Sequence, residues 1–155
     1  MSAIAFSQSA YDEFDSKGKT TVKRFFKSKG FFCYPDDEER GIDLHFSKKD
    51  HPDIYIEVAV RHYFDWPLYD WKIKAPWETI HILRRKAKYG RPEPFWYGDK
   101  AYLFELNRSM EQAFVIRPCD LQKKYLKLLT NVRGKEWIYD IPVEEFKIFD
   151  LRMHQ

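Results

Sequence analysis

The sequence predicts an α/β (α+β) fold with a central mixed β-sheet flanked by helices. Three observations predict it. Phe14, Gly18, Thr21, Val22, Phe25 and Phe26 recur at helical spacing and form one stripe. Residues 42–46 and 54–62 alternate apolar and polar side chains with the period of a strand. Residues 100–106 and 112–116 return to strand-like runs, with helical patterns on either side.

Taken in order, residues 11–29 read as a helix with lysines off the apolar stripe, and Gly30 stands where a capping glycine ends it. Residues 31–34 form a short strand, and residues 35–41, PDDEERG, a turn-rich loop. Residues 42–46 and 54–62 are strands joined by a hairpin loop at 47–53. Residues 63–75 are aromatic and irregular. Pro76 suits the first turn of a helix running to about residue 89. The alternative there is a strand at Ile80-His81-Ile82 before a shorter basic helix. Residues 90–98 make a loop, and residues 100–106 and 112–116 a hairpin. Asp120 caps a helix to about residue 131, with Leu121, Tyr125, Leu128 and Leu129 facing in. Residues 137–141 are a last strand, and residues 146–151 a tail packed on the domain. The order is α-β-β-β-α-β-β-α-β. The 155 residues suit one compact domain, with no repeat, linker or low-complexity stretch.

Composition excludes several classes. With 44% apolar and 18% aromatic residues the chain is not of disordered type. No apolar run is long enough for a membrane span. The opening MSAIAFSQSA lacks a basic region and an apolar core, so no signal peptide is expected and the location is cytoplasmic. Cys33 and Cys119 make neither a disulfide framework nor a zinc site. The net charge is +3, unevenly distributed. Residues 17–29 carry six cations and no acid, residues 36–57 eight acids, and residues 84–91 five cations. That pattern suits a metal site flanked by phosphate contacts, or else ordinary solvated helix faces.

The acids inside the strands carry the sharper argument. In residues 42–46, Ile42, Leu44 and Phe46 form one face and Asp43 and His45 the other. In residues 54–62, Ile54, Ile56, Val58 and Val60 oppose Tyr55, Glu57, Ala59 and Arg61. If the apolar faces point inward together, Asp43 and Glu57 share the opposite face. Neighbouring carboxylates repel unless a positive charge lies between them, and Mg²⁺ or Mn²⁺ is the usual hard cation for that role. The plainer alternative is two solvent-facing acids on a hairpin.

A basic helix, KTTVKRFFKSKGF, a short strand, ERGIDLHF, a loop and IYIEVAVRH follow one another here. This order resembles the PD-(D/E)xK nucleases, the restriction-endonuclease-like superfamily that includes archaeal Holliday-junction resolvases and many phage enzymes. The likeness covers residues 11–62. It implies a restriction-endonuclease-like fold and a prokaryotic or phage setting. Asp43 matches the motif aspartate and Glu57 the motif (D/E), while Pro35-Asp36 is a decoy in the loop before the strand. Some resolvase-like members add an acid in the first helix. Asp12, Glu13 and Asp15 lie near its start, with Lys19-Thr20 at the matching position. The motif lysine is absent, because residue 59 is alanine. In the family that lysine orients the attacking water and steadies charge on the phosphorane. Its role has moved to Arg61, or to Lys72, Arg84, Arg85 or Lys86; or the site binds without cutting; or the fold serves another purpose.

The resemblance thus implies a metal-dependent DNA endonuclease. Asp43, Glu57 and Arg61 are its catalytic residues, and Asp43 and Glu57 hold Mg²⁺ or Mn²⁺. Lys19, Lys23, Arg24, Arg84, Arg85 and Lys86 are the nucleic-acid contacts. The aromatic and basic residues of 63–97 add stacking surfaces, with two or three rings expected to be exposed. His45 is expected to be a bystander or to reach a metal-bound water. DNA is the expected partner, with no membrane and a homodimer left open. The alternatives are an inactive nucleic-acid-binding module on the same fold and a small protein-interaction factor.

Overall fold

The computed structural model describes residues 8–35, 41–61, 79–131 and 134–152. Helix α1 (Gln8–Ser28) buries Val22 and Phe26 against a six-stranded sheet. It crosses β3 (His51–Arg61) at Gly18, where a Cβ would fall 2.6 Å from a Val60 methyl. Only glycine allows that approach. The helix ends as its sequence asks. Gly30 takes φ +91°, its N–H donates to the Lys27 carbonyl at 3.0 Å, and the Phe31 N–H donates to the Phe26 carbonyl at 3.1 Å. This pair of bonds closes a Schellman motif.

The chain then runs through β1 (Phe32–Cys33), β2 (Leu44–Lys48) and β3 as an antiparallel meander. The loop expected at 47–53 is tighter than that, a turn at Lys49 and Asp50 with both strands extended into it. After β4 (Thr79–Leu83) and a 3₁₀ helix at Arg84–Gly90 come β5 (Ala101–Asn107) and β6 (Gln112–Ile116). Last are β7 (Leu126–Asn131), β8 (Gly134–Pro142) and β9 (Lys147–Asp150). The large sheet has the order β1-β2-β3-β5-β6-β9. It is mixed, since β3 and β5 are parallel and the other neighbours antiparallel. A second, antiparallel sheet has the order β4-β8-β7.

Alternation along the strands of the large sheet feeds two cores. Phe104 and Leu106 of β5 join Leu44, Phe46, Ile56 and Val58 beneath α1. Leu103 of β5, with Phe114 and Ile116 of β6, packs against Ile80, Ile82, Tyr139 and Ile141 of the small sheet. The layers are therefore helix, sheet, sheet.

This corrects the expected order and its flanking helices. Residues 79–83 are a strand and 84–90 a 3₁₀ helix, the alternative reading of that region, while Pro76 and the aromatics of 63–77 lie outside the described residues. Residues 120–131 are not a helix. Only Lys123–Tyr125 makes a 3₁₀ turn, and β7 pairs with β8 from Leu126↔Tyr139 to Asn131↔Gly134. Leucines at helical spacing lose there to a hairpin, because β8 follows at once and supplies the backbone bonds of β7. The tail expected at 146–151 becomes β9, at the edge of the large sheet. Ile42 also departs from its expected face. The chain bends at Asp43, so Ile42 enters the core between the sheets while Leu44 and Phe46 stay under α1.

Candidate active site

The β2–β3 register ends at Leu44↔Ile56, and one further step would set Asp43 opposite Glu57. Instead of continuing the ladder, the chain bends, and the Asp43 side chain takes over the backbone's role. Its Oδ2 accepts the Val58 N–H at 2.8 Å. Asp43 is thus fixed at the mouth of the hairpin by the strand that carries Glu57. Glu57 is buried, 7% exposed, on the face of β3 toward the small sheet.

Two ammonium groups reach these acids from other elements. Lys86, on the 3₁₀ helix, donates through Nζ to Glu57 Oε2. Lys19, on α1, places Nζ 3.3 Å from Asp43 Oδ1 and 3.1 Å from Asp15 Oδ2. Tyr89 is also buried here, and its hydroxyl donates to the Gly41 carbonyl at 3.2 Å. Lys86 and Tyr89 are three residues apart, so a 3₁₀ helix presents both on one side. One short segment thus reaches the glutamate and also ties down the backbone just ahead of Asp43.

The electrostatics follow from crowding acids in a half-dry place. Burial, and then the neighbouring Glu57 carboxyl, push Asp43 up to about 6, against the pull of the Val58 amide and Lys19. Burial works against the Lys19 charge, but Asp43 and Asp15 outweigh it and raise its pKa. Burial, with Glu57 and Asp43 nearby, raises the Tyr89 phenol, which stays a donor at neutral pH. Two adjacent carboxylates that resist joint ionisation are a donor set suited to a hard divalent cation. Among the described residues no group of three or more His, Cys, Asp or Glu gathers into a metal cage. The other ligand positions would fall to water and substrate oxygens, the usual habit of Mg²⁺.

Of the residues singled out from sequence, the structure brings together Asp43, Glu57, Lys19 and Lys86. Arg61 shares the Glu57 face but reaches the other way along β3. Its Nε donates to Glu105 Oε2 at 3.1 Å and its Nη2 to the His81 carbonyl at 2.6 Å, bridging the two sheets. Arg84 lies over the Trp137 ring at 5.8 Å, on the small sheet, and Arg85 is exposed. Lys23 is one helical turn beyond Lys19. Arg24 turns to another side, lining a shallow cavity with Thr20, Met110 and Arg152. Lys72 lies outside the described residues. His45 pairs with Asp53 at 2.9 Å. Of the rings at 95–97, Phe95 is 80% exposed while Tyr97 is buried. Sequence reasoning missed Tyr89, and it noted Asp15 only as an unaligned acid. The helical spacing of Asp15 and Lys19 was the one available signal for their pairing.

No helix among the described residues is long and apolar enough to cross a membrane. No family model matches the chain, and no curated protein matches it at a significant level. Among solved structures it is similar to a nuclease from a fusselovirus, at 13% sequence identity, with 94% of this chain and 90% of that chain covered and a TM-score of 0.47.

Proposed function

We propose that the chain is a metal-dependent phosphodiesterase acting on DNA, of the PD-(D/E)xK kind, with its catalytic cation relocated to Lys86. The observation that carries this reading is the Lys86 ammonium on Glu57, in a chain whose residue 59 is alanine. Asp43 and Glu57 are the ligands for Mg²⁺ or Mn²⁺. A bound divalent ion lowers the pKa of its water and offsets charge on the scissile phosphate. The chain does the rest. The Val58 amide aims Asp43, and the Tyr89 hydroxyl holds the Gly41 backbone. Lys86 Nζ orients the attacking water and steadies the negative charge that develops on the phosphoryl oxygens. Arg61, with its partners on Glu105 and His81, holds the sheets together and is not assigned that role.

One observation favours a second reading, a nucleic-acid-binding module that does not cut. Lys19 and Lys86 together offset both carboxylates, as a structural ion-pair network would. Cleavage assays in Mg²⁺ and Mn²⁺ separate the two. The first reading predicts cleavage that is lost in EDTA, in Asp43→Asn and in Glu57→Gln. Binding without cleavage in either metal would favour the second.

A further inference from the structure

A row of four rings crosses the large sheet beside the acid pair. Tyr34, His45, Tyr55 and Tyr97 stack face to face, with centroids 4.2 Å apart at every step. Their planes lie within 27° of parallel. The row follows the strand pairing. The Tyr34 N–H donates to the His45 carbonyl at 2.9 Å, and His45 pairs with Tyr55. His45 stands two residues after Asp43, and Tyr55 two before Glu57. Tyr55 and Glu57 thus share a face of β3, and the ring row is displaced from the acids by about 7 Å along the strands.

The two ends of the row differ. Tyr97 is wholly buried and leans on Tyr89, whose hydroxyl holds Gly41. Tyr34 is 40% exposed and continues β1, the edge strand. Phe32, also exposed, meets Tyr34 at 90° with centroids 5.0 Å apart. It lies two residues earlier in the chain, so the two rings together make the exposed aromatic rim at this sheet edge. His45 is sandwiched between the two tyrosines and held by Asp53 at 2.9 Å, which keeps the row in register. A stack of planar rings that ends in an exposed ring at a sheet edge, beside a phosphodiester site, is a template for one more planar ring.

We propose that Tyr34 seats an unpaired base of a DNA strand whose neighbouring phosphate lies at Asp43 and Glu57, so that single-stranded or branched DNA is the substrate rather than intact duplex. The inference rests on the phosphodiesterase reading for its consequence in cleavage, but not for the seat itself. Inside a duplex both faces of a base are covered by its neighbours. An unpaired base offers a free face, and an aromatic side chain accepts it with little regard to sequence.

The test uses an oligonucleotide with 2-aminopurine at one position, whose fluorescence falls on stacking, and the whole protein in EDTA so that nothing is cut. The parent and Tyr34→Trp should quench the probe, and Tyr34→Leu should not. Tyr34→Leu should bind single strands about tenfold more weakly and leave duplex affinity unchanged. Thermal melting of each variant checks that the fold is intact. In Mn²⁺ the preference for single-stranded over duplex cleavage should fall by a similar factor. Equal quenching by parent and Tyr34→Leu would overturn the proposal, as would equal losses on single strands and duplex or a stronger binding of RNA. Quenching that depends on Tyr34, without cleavage in any metal, would leave the seat standing and remove the phosphodiesterase reading.

Discussion

Ala59 leaves no cation two residues after Glu57, and Lys86 brings one from 29 residues away in sequence. This makes the two positions an exchangeable pair in experiment. Lys86→Met should lower cleavage by about a hundredfold or more, the usual loss when one preorganised charge partner is removed. Mn²⁺ affinity, set by the carboxylates, should change little, and calorimetry checks this. Ala59→Lys in the parent should leave activity level or lower, because a second ammonium would crowd Glu57. In the Lys86→Met background the same substitution should restore part of the lost rate, since the side chain of residue 59 faces the same way as Glu57. No rescue in the double variant, with both proteins folded, would mean that Lys86 does not stand in for the missing lysine. Alternation singled out Asp43 and Glu57, and the structure brings them together at the mouth of the hairpin. Their cationic partners were not legible in the sequence, because nothing local marks Lys86 among its four neighbouring cations or tells which of them turns inward.

At the scale of elements, the 3₁₀ helix at Arg84–Gly90 carries Lys86 and Tyr89 to the acids. It is seated at Gly90, where an added Cβ would lie 2.4 Å from the Cys119 backbone nitrogen. Backbone cannot yield as a flexible side chain can. Gly90→Ala should therefore cost about 1–3 kcal/mol, as overpacking does, and should lower cleavage as Lys86 and Tyr89 shift with their segment. Chemical denaturation and rate measurements on one preparation check both effects. Tyr89→Phe removes the bond to Gly41 and should cost about 1 kcal/mol with a smaller effect on rate. The elements nearest the site were the readable ones. Helix α1 announced itself through the stripe from Phe14 to Phe26, and β2 and β3 through their alternation. The region 120–131 was misread for a physical reason. Leu121, Tyr125, Leu128 and Leu129 fit a helix locally, but the strand at Leu126–Asn131 is fixed by pairing with Gly134–Pro142. That pairing also leaves Leu128 partly exposed, opposite Trp137, rather than in a core.

Across the whole molecule, the acid pair couples fold stability to pH, and on the proposed reading to metal as well. The Asp43 carboxyl lies near 6 in the fold and at 3.8 in a free chain. Between those values the folded protein holds the extra proton, so stability falls as pH rises from about 4 to 6. The loss from this group is on the order of 2–3 kcal/mol, present in metal-free protein and absent in Asp43→Asn. Melting curves across that range check it. Mn²⁺ should raise the melting temperature more at pH 7 than at pH 5, because the ion binds the ionised pair. The architecture was legible as a mixed sheet under an N-terminal helix. The second sheet was not, since β4 pairs with a strand more than fifty residues away and the leucines of β7 fall at helical spacing. Mn²⁺ soaked into crystals of the metal-free protein tests the central claim most directly. The account predicts one anomalous peak bonded to carboxylate oxygens of both Asp43 and Glu57, at about 2.1 Å, with Lys19 drawn back from Asp43. Carboxylates still paired with Lys19 and Lys86, with no peak between them at saturating Mn²⁺, would contradict it.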